Sequence, residues 1–419
     1  MPHEELSRRN LLRSGMLGTC GAMAGISSLL AADGVRSEQS SKPGSLTITN
    51  VETFLLQYKL PRQYGVSIAL NEFRKSLLVK ISTDSGLVGW GETIDLGGTQ
   101  AIIERNLKKT LLGQNPLDHR RLWRTMWSYN FGDGRAMAAV DIALHDLRGK
   151  ALGLSVADQY GGRLRDSVLA YAAAMHYTDG VDPEDQFPTE AAGLAKRGFR
   201  AMKIRTGRLE PRRDLAVLAK IREAVGGDIR LLTDGNGAFT LPQAVQFGKE
   251  LEKLDFYCFE EPLPQGLNYA GYDELTRTLD IAVAGGEVLD SRTAARDHIV
   301  KRSFDIIQPD VILCGGVAET LFIAEMARLF SIQCVPHCWA GAISIAATLQ
   351  VLALLPPYTH GFTSDEPMLE FDTTENPFRE QLITKPFAID ASGRVAIPTA
   401  PGLGIEVNED TVQKYLVRA

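Results

Sequence analysis

The chain has 419 residues, 44% of them hydrophobic and 23% charged, with a formal net charge of −6. The length fits two domains or one barrel with additions, and the composition is that of a globular protein. The negative balance gives no electrostatic case for nucleic acid or an anionic membrane as partner, and no internal apolar stretch is long enough to span a bilayer.

The first 45 residues stand apart. Ser7-Arg8-Arg9-Asn10-Leu11-Leu12 is a twin-arginine pattern, followed by a Gly/Ala/Leu-rich stretch to about Ala32 and a polar segment to Ser45. This resembles a twin-arginine export signal, which predicts a periplasmic or extracytoplasmic location for the mature protein. Leu17-Gly18-Thr19-Cys20 matches a lipoprotein cleavage box poorly, because Thr precedes the Cys. Five cysteines are too few for a disulfide framework. Outside the signal, Cys258, Cys314, Cys334 and Cys338 read as small buried apolar residues.

Residues 46–165 read as an α+β domain. Strand patterns at 46–60 and 76–83 lead through Asp84-Ser85-Gly86, hairpin turn chemistry, into 87–90. Helical patterns follow at 99–112, 116–129 and 135–152, and strands followed by a run of helices indicate a separate layer. From residue 166 to 365 the rhythm changes to strand–helix alternation. Strands are predicted at VLAYAAA, AMKI, IRLLT, FYCF, IAVA, FDIIQ and IQCV, with helices at 211–224, 242–254, 291–301, 317–330 and 342–355. Such alternation implies a parallel sheet covered on both faces, closed into a barrel or open and doubly wound. Residues 366–419, with short strand signals at PFAI and RVAI, are expected to return to the first domain.

Reactive side chains recur just past the apolar runs: Lys203, Asp234, Glu260, Glu287, Asp310 and His337. The gaps are about 31, 26, 27, 23 and 27 residues, one strand-plus-helix unit each. A ladder of this kind puts one group at the same end of each successive strand, the end where a (β/α)₈ barrel builds its active site. Three carboxylates at consecutive strand ends repel unless neutralised. A hard divalent cation, Mg²⁺ in an all-oxygen site, is one solution, and pairing with Lys and Arg is the other. Lys203 and Arg205 alternate onto one face of their strand and can serve a substrate carboxylate or the acids. Asp310, one unit before His337, can fix the imidazole tautomer and make its other nitrogen a general base.

The stretches AMKIRTG, LLTDGNGAF, FEEPLP, AGGE, QPDVILCGG, PHCW and MLEFDTTENP, with AVDIALHDLRGKALG, YGGRLR and PGLGIEV, resemble the enolase superfamily in its mandelate racemase and muconate-lactonizing branch. The resemblance covers about residues 46–419 and is specific for the superfamily, much less so for substrate. It implies a modified (β/α)₇β barrel with an α+β capping domain completed by the C-terminal tail. It implies Asp234, Glu260 and Glu287 as Mg²⁺ ligands, and Asp310 and His337 as the acid/base dyad. Glu370 matches an acid that bonds the substrate carboxylate and the enolate; Asn236 and Glu261 match supporting polar positions. The implied chemistry is abstraction of the proton α to a carboxylate, giving an enediolate. The resemblance also implies a Lys or His base working together with Mg²⁺.

One position departs from the family pattern. Lys-x-Lys is usual, the second Lys being a base, and here that position is Arg205, a poor base. Proton transfer on both faces is thereby disfavoured, and the reading turns from racemisation to one-base loss of water from a sugar acid or other α-hydroxy acid. Arg205 is then expected to hold substrate oxygens bidentately. Segments 60–71 and 93–99 and residue His176 are candidate substrate-selecting elements, and His145, on a patterned helix, reads as a packing residue. The expected partners are a small-molecule carboxylate and further copies of the chain in a homo-oligomer. The rival readings are a racemase or epimerase, a noncatalytic exported acid-binding protein, and a Schiff-base aldolase using Lys203.

Overall fold

The computed structural model describes residues 46–129, 133–358 and 365–418. The export pattern and Cys20 lie outside these residues. Strands β1 (Ile48–Gly65), β2 (Leu70–Thr83) and β3 (Val88–Thr93) form an antiparallel meander. The pleat sorts its side chains: Leu77, Val79 and Ile81 pack on one face against Ile103, Leu107, Leu122, Met137, Val140 and Leu144 of the capping helices. Leu78 turns the other way and joins the larger core shared with the barrel. The expected 60–71 loop is mostly strand. β1 runs to Gly65 through a register shift between Lys59 and Tyr64, leaving only a tight turn closed by Val66 N–H donating to Ala69 O at 2.9 Å.

The barrel takes β4 (Ser167–Ala173), with β5 (Tyr177–Thr178) pairing instead to β1, then β6 (Ala201–Arg205), β7 (Arg230–Asp234), β8 (Phe256–Glu260), β9 (Ala282–Gly285), β10 (Ile306–Ile307), β11 (Gln333–Cys334) and β12 (Leu369–Asp372). Neighbours run in the order β11-β10-β9-β8-β7-β6-β4-β12, all parallel. Seven of the eight parallel strands lead into a helix of at least 7 residues and β12 only into the four-residue Pro377–Glu380, which gives the (β/α)₇β count. The helices Pro183–Lys196 and Tyr272–Thr278 are additions to the predicted set. Pro188 makes the first read as broken, yet Asp182 caps it and the helix continues. The second is only 7 residues long, too short to show a period.

The tail divides its contacts. β12, past the expected barrel limit of 365, is the eighth barrel strand. β13 (Arg394–Ala396) pairs antiparallel with β4, so RVAI belongs to the barrel and not to the cap. PFAI forms no strand; only Ile389 bridges, to Val395. The last residues do reach the cap, where Val417 N–H donates to Leu55 O at 2.8 Å and Lys80 pairs with Glu409 at 2.7 Å.

Two buried cap carboxylates dock the domains by occupying helix N-termini, where free N–H groups point outward. Glu92, at the end of β3, accepts from Gly341 N and Ser344 N, both at 2.8 Å, at the start of helix Ala342–Leu352. Any side chain at 341 would collide with it, since a Cβ there would lie 2.5 Å from Glu92 Oε1. Asp141, on cap helix Gly134–Leu152, accepts from Val317 N at 2.8 Å at the start of helix Val317–Leu329. His145 is buried beside it. Its Nδ1 faces the Asp141 carbonyl at 2.9 Å and its Nε2 the Tyr160 hydroxyl at 2.7 Å, as expected of a packing residue. The four described cysteines are free and buried. No described helix is long and apolar enough to cross a membrane.

Candidate active site

The barrel interior is built in layers by the two-residue strand period. One layer is apolar: Tyr171, Ala201, Leu232, Cys258, Ala284, Ile306, Val335 and Met368 pack together. Two residues further along the same strands stand Lys203, Asp234, Glu260, Gln308, His337 and Glu370. Four rungs of the sequence ladder, Lys203, Asp234, Glu260 and His337, therefore belong to the second layer of one interior, and Glu287 and Asp310 lie one and two residues beyond it. Strand register places Arg205 opposite Asp234, and Asp234 opposite Glu260.

Lys203 is fully buried and committed to acids. Its Nζ lies 2.5 Å from Glu260 Oε1, 2.7 Å from Glu370 Oε1 and 3.4 Å from Asp234 Oδ2. Burial alone would lower its pKa, but these three carboxylates raise it, so it stays charged. A Schiff base, which needs a neutral amine, is disfavoured.

Arg205 is committed as well. Nη1 pairs with Asp234 and donates to Asn236 Oδ1 at 3.2 Å, and Nη2 donates to His176 Nε2 at 3.2 Å. The fork expected to grip substrate bidentately is thus occupied by protein. Burial opposes its charge, and Asp234, Glu370 and Glu260 together more than restore it. His176 is buried behind this guanidinium, stacked on Trp339, and does not line the main cavity; it borders a smaller one outside. Burial, then the neighbouring Arg205, Arg74 and Lys203, holds its pKa far below the ordinary value. It is neutral and accepts on Nε2, so its proton sits on Nδ1.

On the opposite side of the barrel, His337 Nδ1 lies 2.6 Å from Asp310 Oδ2, and Ile312 N–H fixes the other oxygen of Asp310 at 2.9 Å. His337 Nε2 points to Glu287 Oε2 at 3.4 Å and Glu370 Oε2 at 3.8 Å. Burial would lower the imidazole, but Glu287, Glu370 and Asp310 override it and push it up to about 10. Glu370 is held down to about 2: burial opposes this, and Lys203 and His337 outweigh it. Its Oε2 also accepts from Cys338 N at 3.1 Å.

Glu260 is raised to about 8 by burial, partly offset by Lys203 and reinforced by Asp234, Glu370 and Glu287. Glu287 is raised for the same reasons, with His337 opposing. Glu261, adjacent and buried, is pushed far up by burial and by Glu287. Its backbone sits at φ 43, in the left-handed region, and is held there by Gly286 N–H and Tyr269 OH donating to Oε1 at 3.0 and 3.2 Å.

These charges do not balance. Asp234, Glu260, Glu287 and Glu370 face the permanent cations Lys203 and Arg205, while Asp310 and His337 form a pair neutral as a unit. With all four carboxylates ionised, two negative charges would remain, the deficit that one divalent cation would cancel; burial and mutual repulsion instead raise Glu260 and Glu287 toward their protonated forms. The all-oxygen donor set of Asp234, Glu260 and Glu287 suits a hard ion. Among the described residues, the tighter cluster of potential ligands is elsewhere, at His119, Asp141 and His145. There three of the four ring nitrogens are already hydrogen-bonded, and the single carboxylate is taken up by His119 and the Val317 N–H.

A cavity of about 640 Å³ opens above this layer. Of the predicted residues it exposes Arg205, Asn236, Glu287, Asp310 and His337, and the rest lie beneath. Segments 66–75 and 94–96 of the cap form part of its wall, in keeping with the two segments singled out for selectivity. Three residues were not assigned from sequence. Gln308 donates to Glu260 Oε2 at 2.9 Å, and the two-residue step from the apolar layer would have found it. Arg74 pairs with Asp372, 298 residues on, at 2.6 Å and lies 4.0 Å from the ring centre of Trp339; neither Arg74 nor Trp339 carries a local signal, because these contacts join parts far apart in the chain.

A capped (β/α)₇β barrel with acids, cations and a His–Asp dyad on one interior layer defines a barrel enzyme centred on a carboxylate cluster. Residues 50–161 match the model described as the mandelate racemase / muconate lactonizing enzyme N-terminal domain, and residues 186–411 the enolase C-terminal domain-like model. The chain therefore belongs to the mandelate racemase/muconate lactonizing enzyme family of the enolase superfamily. It is 35% identical over 377 residues to a D-galactarolactone cycloisomerase of Agrobacterium fabrum, covering 88% of this chain and 99% of that one. It is 29% identical over 391 residues to an arabinonate dehydratase of Saccharolobus solfataricus, with the same two coverages, 88% and 99%. The crystal structure of the 3,6-anhydro-D-galactonate cycloisomerase from Zobellia galactanivorans superposes with a TM-score of 0.79 at 31% identity, covering 89% and 100% of the two chains.

Proposed function

We propose that this protein dehydrates an α-hydroxy acid of the sugar-acid class, with His337 as its one proton-transferring base. The observation that carries the reading is the asymmetry of the site. The His337–Asp310 dyad faces the cavity, while Arg205, where the family pattern has a second base, is charged and bound to Asp234, Asn236 and His176. The relatives named for arabinonate dehydration and for cycloisomerisation of D-galactarolactone support a sugar-acid substrate.

Asp234, Glu260 and Glu287 would hold Mg²⁺, which supplies when bound the concentrated positive charge that a doubly negative enediolate requires. The chain's own residues do the rest. Glu287 and Glu370 favour imidazolium at His337, so the base is its neutral form, reached when those carboxylates are neutralised: it takes the α-proton on Nε2, its Nδ1 proton held by Asp310. The electron pair left on Cα forms the enediolate and then expels the β-hydroxyl. His337 returns its proton to that leaving oxygen, which departs as water, and the enol product tautomerises to a 2-keto-3-deoxy acid. Lys203 keeps Glu370 ionised beneath the reacting carboxylate, and Arg205 holds Asp234.

A panel of sugar acids incubated with enzyme and Mg²⁺ in D₂O, read by NMR, tests this. Expected are keto-acid products, abolished in His337→Gln and retained in Arg205→Lys. Full activity in His337→Gln sinks the one-base reading. Cycloisomerisation is the second reading, favoured by the two cycloisomerase relatives; an isomer of unchanged mass would identify it. We also propose export through the Arg8-Arg9 pattern. Replacing both arginines by lysine should leave the protein in the cytoplasmic fraction, and unchanged fractionation refutes it.

A further inference from the structure

The cavity has a second cationic pole that the chemistry above does not use. Arg135, in the first turn of cap helix Gly134–Leu152, lines the cavity with the tips of the β9 and β10 loops. In the barrel order this is the side across from Lys203 and Arg205 on β6. Its place is fixed by backbone. Gly134 sits so close to the barrel rim that a Cβ would lie 2.0 Å from Asp290 O and 2.5 Å from Leu313 O, and the Arg135 N–H donates to Asp133 Oδ1 at 3.0 Å. The side chain is not satisfied in the same way: its Nε is buried and has no hydrogen-bond partner among the described residues.

The cap acids on the cavity wall have partners of their own. Glu72 pairs with Lys59 at 3.6 Å, and Asp95 accepts from Gln100 N at 3.2 Å. The other cap guanidinium, Arg74, is taken by Asp372 and Tyr64. Arg135 therefore lines the cavity with no acid paired to its guanidinium among the described residues. A planar guanidinium in that state matches a carboxylate, and a desolvated donor left unpaired is costly.

We propose that Arg135 binds a second carboxylate at the far end of the substrate, so that the preferred substrates are sugar diacids and not the corresponding monoacids. This rests on the reading of the cavity as a sugar-acid site. Reaction at one end then needs the other end oxidised as well, and an upstream oxidation of the terminal carbon must supply the substrate.

Matched pairs differing only at that carbon, galactarate with galactonate and glucarate with gluconate, test it. Calorimetry with Mg²⁺ would use the full chain and its Arg135→Met variant, both in a His337→Gln background that stops turnover. For at least one pair the diacid should bind roughly tenfold to a hundredfold tighter. Arg135→Met should bring that pair within about threefold while leaving the monoacid affinity in place, and Arg135→Lys should restore part of the preference. Equal affinities in every pair, a preference that survives Arg135→Met, or equal loss for both members overturns the proposal. Tighter binding of gluconate 6-phosphate than of glucarate also overturns it, in favour of a phosphate. Wild-type dehydration of monoacids without any diacid preference sinks only this inference; failure of all these acids to bind or react sinks the sugar-acid reading with it.

Discussion

Replacing Asp310 with Asn changes which nitrogen of His337 carries the proton. In the native site Asp310 Oδ1 accepts from Ile312 N at 2.9 Å and Oδ2 faces His337 Nδ1 at 2.6 Å. An Asn keeps its oxygen on Ile312, because the backbone N–H can only donate. Its amide then points N–H at His337 Nδ1, which must become the acceptor, and the ring proton moves to Nε2, the atom needed as base. Two losses combine. The charge-assisted hydrogen bond that favours imidazolium disappears, about 1.5–3 kcal/mol or roughly tenfold to a hundredfold in rate. The tautomer is also wrong, a fault that in a serine-protease triad costs roughly 10⁴-fold. We expect a fall of roughly 10³–10⁴-fold in α-proton exchange in D₂O, followed by NMR, with the urea midpoint nearly unchanged. Asp310→Ala should be less damaged, since water can accept the Nδ1 proton. An Asp310→Asn enzyme with more than about a tenth of wild-type exchange would refute the tautomer argument.

Glu92→Ala strands the N–H groups of Gly341 and Ser344 and the Ser76 hydroxyl, so we expect a stability loss of about 2–4 kcal/mol by urea unfolding, with Glu92→Gln losing about half. Asp214 is raised to about 6, chiefly by burial. As pH rises from about 4 to about 6 the unfolded chain gives up this proton before the native one, so stability falls across that window by about 3 kcal/mol. Asp214→Asn should flatten that slope, and an unchanged pH profile of the unfolding midpoint contradicts it. Mg²⁺ at 100-fold over its dissociation constant should stabilise the chelator-treated protein by about 2.7 kcal/mol, and Glu260→Gln should abolish most of the effect. The same titration should release protons, because neutralising Glu287 removes the largest influence that raises His337. Identical melting with and without Mg²⁺ would argue against the carboxylate trio as a metal site.

The sequence by itself determined the strand–helix alternation and most of its polar layer, and closure into a barrel followed from the family resemblance. Strand and helix periods are local, and a side chain two residues past an inward apolar one must also point inward, which is why Lys203, Asp234, Glu260 and His337 were legible without coordinates. Gln308 obeys the same rule. Only the tertiary structure decided what those groups do to one another. Whether Lys203 and Arg205 serve substrate or the acids depends on contacts across neighbouring strands, and packing assigned both to protein carboxylates. β12 hid in a tail whose short apolar run has meaning only beside β4. His176 looked like a pocket residue from its strand-end position, but burial behind Arg205 is set by Trp339, more than 160 positions away in the chain. Arg135 carried no signal at all, because its significance lies in its place on the cavity wall and in a guanidinium that pairs with no acid among the described residues. Local patterns fix which way a side chain points; the partners waiting there are fixed only by the closing of the fold.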